Sequence, residues 1–147
     1  MMNKLAAVVS QVESAGFPYA QRYEPGVFAG FAIAPAAISA AATGNHCSAV
    51  TARVLCSISF GLFQIMGFNL YGFLGWKQSV ATFLYDTEQQ LSTFADFCQH
   101  SGVNPATFDF TDEAQLEHFA RVYNGPGDIP NYVSKMKAAL AALPPEV

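Results

Sequence analysis

The stretch Ser57–Asn69 reads S-I-S-F-G-L-F-Q-I-M-G-F-N. It is apolar almost throughout, yet Gly61, Gln64 and Gly67 stand where a segment built only for packing would carry Leu, Val or Ala. A glycine inside a helix costs about 1 kcal/mol relative to alanine. A buried amide must find partners or suffer desolvation. Something therefore approaches this backbone closely and uses the Gln64 amide. Ser57 or Ser59 as a cap and Gly67 or Gly72 as a stop predict a short helix here.

Outward from this stretch the pattern is helical. Leu5, Val8, Val9 and Val12 follow helical spacing behind Asn3, and Gly16 and Pro18 end that run. Phe17–Phe28 is irregular, with two prolines, and suits a short extended piece turning at Pro25-Gly26. Phe31–Thr43 is Ala-rich and helical on one or both sides of Pro35, broken at Gly44-Asn45. Residues 45–58 are open between a helical turn and an extended segment. From Ser79 to His100 runs the longest periodic stretch, with Val80, Phe83, Leu84, Leu91, Phe94, Phe97 and Cys98 on one face. Asp112 opens a helix that stops at Asn124-Gly125-Pro126-Gly127. A last helix covers about Pro130 to Leu143, before Pro144-Pro145. The sum is a mainly-α single domain over residues 1–147, with six or so short helices and at most a short β-hairpin.

Composition narrows the function. Of 147 residues 52% are hydrophobic and 12% charged, with thirteen Phe, which suits one compact domain with a real core. The net charge is −4 and no Lys/Arg cluster exists, so a nucleic-acid partner is not expected. The Val27–Thr43 stretch is interrupted by Pro35 and too rich in Ala and Gly to span a bilayer, so stable membrane insertion is not expected either. The apolar run Leu5–Val9 is too short for a signal peptide and is followed at once by Gln11 and Glu13. Cys47, Cys56 and Cys98 read as free thiols, although Cys47 and Cys56 could close a short loop. His46 beside Cys47 has no second ligand pair at zinc spacing, so no metal is expected.

The chemistry-bearing residues are few. No nucleophile elbow, phosphate loop or dinucleotide fingerprint is present. Glu13 falls in the last turn of the first helix, next to apolar Val12, where both the helix dipole and burial disfavour its charge. A carboxyl so placed holds its proton, which is what a general acid needs. Phe17, Tyr19 and Tyr23 nearby suit stacking on sugar rings. Other polar residues in apolar company are Ser14, Arg22 with Glu24, Ser57, Ser59, Gln64, Tyr123 and Asn124.

Taken together these strings resemble the lysozyme superfamily. S-x-S-F-G-L-F-Q-I-M-G resembles the S-x-S-W-G-x-F-Q-I-M-G motif of phage endolysin-type N-acetylmuramidases. V-E-S-A-G at Val12–Gly16 resembles the catalytic Glu-Ser motif of those enzymes and of soluble lytic transglycosylases. R-Y-E-P-G-V-F resembles the second acidic motif of the muramidases, and A-R-V-Y-N-G-P-G followed by Tyr132 resembles the late Tyr-Asn motif. The order is the family's, and the matches span about residues 8–137. Two departures stand out. Ile58 and Ser59 replace the Gly-Ala of many transglycosylases, and no clear acidic residue lies between Glu24 and Ser57.

The resemblance implies a lysozyme-like, goose-type or transglycosylase-like, helical domain. It would cleave the β-1,4 bond between N-acetylmuramic acid and N-acetylglucosamine in peptidoglycan, with Glu13 as acid and no cofactor. Capture by water gives a hydrolase; capture by the sugar's own 6-hydroxyl gives a lytic transglycosylase. Glu24 is the candidate second carboxylate, against a plain ion pair with Arg22. Ser14, Ser59, Gln64, Tyr123 and Asn124 are candidate glycan contacts, each with a structural alternative as cap or internal tether. The expected partner is the glycan strand and the expected state a monomer. A phage-type lysis protein made in the cytoplasm and released to the wall by a holin fits the expectation. A catalytically silent glycan-binding or virion domain of the same fold is the competing reading, and retention of Glu13-Ser14 with Gln64 and Tyr123-Asn124 weighs against it.

Overall fold

A computed structural model describes residues 2–144. The first helix, α1 (Lys4–Ser14), starts where the Asn3 side chain accepts the Ala6 N–H at 2.9 Å. It ends where Ala15 and Gly16 turn left-handed and return their N–H groups to Gln11 and Ser10. Leu5, Val8 and Val9 are fully buried, as their spacing predicts, each contributing about 1.5–3 kcal/mol of burial. A short strand β1 (Gln21–Tyr23) and the helix α2 (Pro25–Gly30) follow, with Pro25 in the first turn. The Ala-rich region becomes α3 (Pro35–Asn45), and the segment left open between helix and strand is α4 (Ala49–Cys56), capped by Ser48. Both pack on α5 (Gly67–Tyr71).

The stretch read as a helix is instead a hairpin. Strands β2 (Ile58–Phe60) and β3 (Ile65–Met66) join β1 in a three-stranded antiparallel sheet of order β1-β2-β3. Arg22 pairs with Ser59, and Ser59 with Met66. The run of β-branched and aromatic residues around Gly61 was a strand signal outweighed by the glycines and serines. Gly61 and Gln64 both sit at positive φ, +78° and +48°, and together reverse the chain between β2 and β3.

The long periodic stretch divides at Asp86 into α6 (Val80–Tyr85) and α7 (Thr87–His100). Asp86 ends one helix and, through its carboxylate on the Gln89 N–H at 2.9 Å, caps the next. The apolar stripe survives the break because both helices face one core. Asp112 caps α8 (Glu113–Asn124), and α9 (Ile129–Ala142) packs against both α8 and α1. The predicted end of this helix at about Leu143 agrees with the observed one, where Leu143 is the C-cap, and Pro145 lies outside the described residues. The centre is aromatic: Phe63 stacks on Phe94 at 4.4 Å, and Phe119 on Tyr123 at 5.0 Å. Cys47, Cys56 and Cys98 are free, and burial pushes the Cys56 and Cys98 thiols up to about 11 and about 12. His46 takes the left-handed position that closes α3. Among the described residues no helix is long and apolar enough to cross a membrane.

The close approach implied by the glycines comes from the chain itself. A Cβ at Gly67 would lie 2.1 Å from the Leu55 carbonyl oxygen, because α5 starts against the backbone of α4. Gly67→Ala is expected to cost about 3 kcal/mol, the upper range for overpacking, since backbone on both sides must shift. Urea unfolding should show it as a lower midpoint at unchanged slope.

Candidate active site

The turn Gly61–Gln64 is where side chains from three helices meet. Ser14, at the end of α1, donates its hydroxyl to the Leu62 carbonyl at 2.8 Å. Tyr123, on α8, donates to the Phe63 carbonyl. Gln90, on α7, accepts the Leu62 N–H at 2.7 Å and donates to the Pro18 and Leu84 carbonyls at 3.1 and 3.0 Å. Gln64 closes the turn from within: its amide donates to the carbonyls of Ala20 and Gly61, and its oxygen accepts the Ser59 hydroxyl at 2.8 Å. Each such bond is worth about 1 kcal/mol net, and more if a buried partner is left unpaired.

These contacts locate the candidate glycan residues. Ser59 is 1% exposed with its hydroxyl on Gln64, so it sits behind the surface. Ser57 is likewise buried and donates back to Arg53. Ser14, Gln64 and Tyr123 spend their hydrogen-bonding atoms on the turn. Asn124 alone of the five candidates lines the cleft beside Glu13.

That cleft, about 240 Å³, is lined by Val12, Glu13, Arg22, Asn124, Asp128, Asn131, Tyr132 and Lys135. It is polar and lies between the end of α1, strand β1 and the first turns of α9. Ser14 pins the C-terminus of α1, which fixes Glu13 one residue earlier. The Tyr132 hydroxyl donates to Glu13 Oε1 at 2.6 Å. Burial and the neighbouring Glu13 hold the Tyr132 phenol well above its usual range, so it stays a donor. Burial raises the Glu13 carboxyl, against the lowering pull of the Tyr132 hydrogen bond and of the Arg22 and Lys135 charges. Among the described residues Oε2 accepts no hydrogen bond.

The chain matches the N-acetylmuramidase family model over residues 36–144. It is also 34% identical over 131 residues to the endolysin of Enterobacteria phage PRD1, covering 85% of this chain and 88% of that protein. The chain belongs to the N-acetylmuramidase family. It is thereby a peptidoglycan-degrading enzyme of lysozyme-like, mainly-α fold. The matched region of this muramidase holds Gln64, Tyr123, Asn124 and Tyr132, while Glu13 lies ahead of it and is tied to it by Tyr132 and by Ser14. No solved structure matches significantly.

The muramidase's Glu24 has a different environment. It stands at the N-cap position of α2, its carboxylate 2.6 Å from Arg22 Nε, and it is not among the residues lining the cleft. The ion-pair alternative is the one seen. Sequence reasoning missed Gln90, Asp128, Asn131 and Lys135 as parts of the site or its support. Gln90 carried a signal, a lone amide within the apolar stripe of residues 80–98. Asp128 and Asn131 read as ordinary helix-start residues.

Removing the Tyr132 hydroxyl takes away an interaction that lowers the Glu13 carboxyl. In Tyr132→Phe the Glu13 carboxyl therefore rises further, and the alkaline limb of the activity profile should move to higher pH. A loss of about tenfold in rate accompanies it, one oriented hydrogen bond at about 1.4 kcal/mol. A pH–rate profile on cell-wall substrate checks both.

Proposed function

We propose that the chain cleaves the β-1,4 bond between N-acetylmuramic acid and N-acetylglucosamine, with Glu13 as the general acid. The observation that carries this is the Glu13 carboxyl, its hold on a proton raised by burial at the edge of a polar cleft and its orientation set by the Tyr132 hydroxyl. Its proton passes to the leaving glycosidic oxygen as the bond to the anomeric carbon breaks, the acid half of glycoside cleavage. The positive charges of Arg22 and Lys135 suit the acidic groups of peptidoglycan. Asn124 and Asn131 supply amides for sugar hydroxyls and N-acetyl groups.

The exposed ridge of Phe17, Tyr19 and Tyr85 supports a longer binding surface. Tyr19 lies 5.6 Å from Phe17 and 5.3 Å from Tyr85, ring to ring, and their exposed faces suit stacking on further sugars of the strand. Ser14, Ser59, Gln64 and Tyr123 act in this reading by holding the turn that fixes Glu13. A silent glycan-binding domain would have no use for a buried carboxyl that costs stability. The phage endolysin relative supports the cell wall as the setting; release through a holin and action as a monomer complete the proposal.

Digestion of purified sacculi followed by mass spectrometry of the products tests the bond. Every new reducing-side end, free or anhydro, should be muramic acid, with N-acetylglucosamine at the matching non-reducing end. New reducing ends of N-acetylglucosamine would overturn the assignment.

A further inference from the structure

Three aspartates stand at the starts of long helices, and one of them behaves differently. Asp86 and Asp112 cap α7 and α8 in the ordinary way, accepting backbone N–H groups at 2.9 Å from Gln89 and Ala114. Asp128, at the start of α9, makes no side-chain cap, and its backbone sits at φ −152°, ψ 53°. Pro130 removes one amide the cap would use, but the Asn131 N–H remains available. Asp128 Oδ2 instead accepts the side-chain amide of Asn131 at 2.8 Å, and Asp128 is one of the residues lining the cleft that holds Glu13.

The two carboxylates are thus held by adjacent residues of one helical turn, Asp128 by Asn131 and Glu13 by Tyr132. No hydrogen bond joins them, so they are separate groups and not a dyad sharing a proton. Among the described residues Asp128 Oδ1 accepts no hydrogen bond. Glu24, the other carboxylate in range by sequence, is occupied by Arg22.

We propose that Asp128 is the second catalytic carboxylate, the base that takes a proton from an attacking water. This rests on the assignment of Glu13 as acid. The water oxygen bonds to the anomeric carbon of the muramic acid while the bond from that carbon to the leaving oxygen breaks. Asp128 takes the water's proton and Glu13 gives its own to the leaving oxygen. Exchange with solvent then restores both groups. Acid and base acting from opposite sides of the sugar, with water between, give hydrolysis with inversion. The product is a free reducing end and not an anhydro sugar.

The test compares wild type, Asp128→Asn, Asp128→Ala and Glu13→Gln on purified sacculi, each checked for cooperative thermal unfolding well above the assay temperature. Asp128 is exposed and caps nothing, so its variants keep the fold. Both Asp128 variants should lose about 10²–10³ in kcat with KM little changed. Added azide should restore turnover in Asp128→Ala and yield the α-configured glycosyl azide, which a structural role for Asp128 would not produce. Wild-type activity retained within about threefold in Asp128→Ala overturns the proposal, as do loss of rate without an azide product and anhydro-muramyl ends from the wild type. In each of these cases an inactive Glu13→Gln leaves the Glu13 reading standing. An active Glu13→Gln would overturn that reading as well.

Discussion

Glu13→Gln is expected to abolish cell-wall clearing while making the protein more stable. The rate loss should be about 10²–10⁴, the range for removing a positioned general acid. Glutamine keeps the shape and still accepts the Tyr132 hydroxyl, so the cleft is preserved. The gain in stability follows from burial. In the folded chain the Glu13 carboxyl is raised above its ordinary value of 4.5, so the folded state holds the proton to higher pH than the unfolded chain does. Stability therefore falls as pH rises from about 4.5 through the raised value. Glutamine removes that fall. At neutral pH the variant should be more stable by roughly 0.5–2 kcal/mol, and below the ordinary carboxylate value the two proteins should converge. Turbidity clearing of cells and melting curves at two pH values measure both halves. Clearing at the wild-type rate would end the case for Glu13 as acid; equal melting at both pH values would show that burial does not raise the carboxyl.

Much of this site was legible in the sequence because its signals are local. Glu13 follows an amphipathic run and precedes a Gly/Pro stop, so its helix-terminal place is dictated by neighbours within a few residues. The stops after Ser14 and Asn124, and the starts behind Asn3 and Asp112, come from capping chemistry that acts over one turn. What could not be read depends on long-range partners. The Ser57–Asn69 stretch pairs Ser59 with Arg22, thirty-seven residues away, and that pairing, absent from any local pattern, makes it strand and not helix. Gly61, Gln64 and Gly67 signalled a close approach without saying by what, and the partners turned out to be Gln90, Ala20 and Leu55. Asp128 was hidden for a different reason. An Asp before Ile-Pro looks like a cap, and only its hydrogen bonding, to the Asn131 side chain and to no backbone N–H of the helix, shows otherwise.

Gln90→Leu is expected to be the most destabilising single change in the site's support. The Gln90 side chain is 1% exposed and contacts four backbone groups. Its oxygen accepts from Leu62, and its amide donates to Pro18, Phe83 and Leu84. Leucine of similar volume leaves no large cavity, and the Phe83 carbonyl keeps the Asp86 N–H, so the loss is chiefly the partners of the Leu62 N–H and the Pro18 and Leu84 carbonyls, on the order of 3 kcal/mol in total. Gln90→Glu should be comparably harmful, since a carboxylate facing three carbonyl oxygens cannot supply the lost donor and must also be desolvated. The effect should extend to catalysis. Gln90 and Ser14 hold opposite sides of the Leu62 peptide, one by its N–H and the other through its carbonyl, and Ser14 adjoins Glu13. Loosening that peptide loosens the end of α1, and a misplacement of about 1 Å can cost 10²-fold in rate. The informative measurement is the rate per folded molecule, taken well below the variant's melting temperature. Reduced stability with a reduced rate identifies the Gly61–Gln64 turn as the part that positions the acid. Reduced stability with an unchanged rate would confine the turn to folding and leave Tyr132 as the group that orients Glu13.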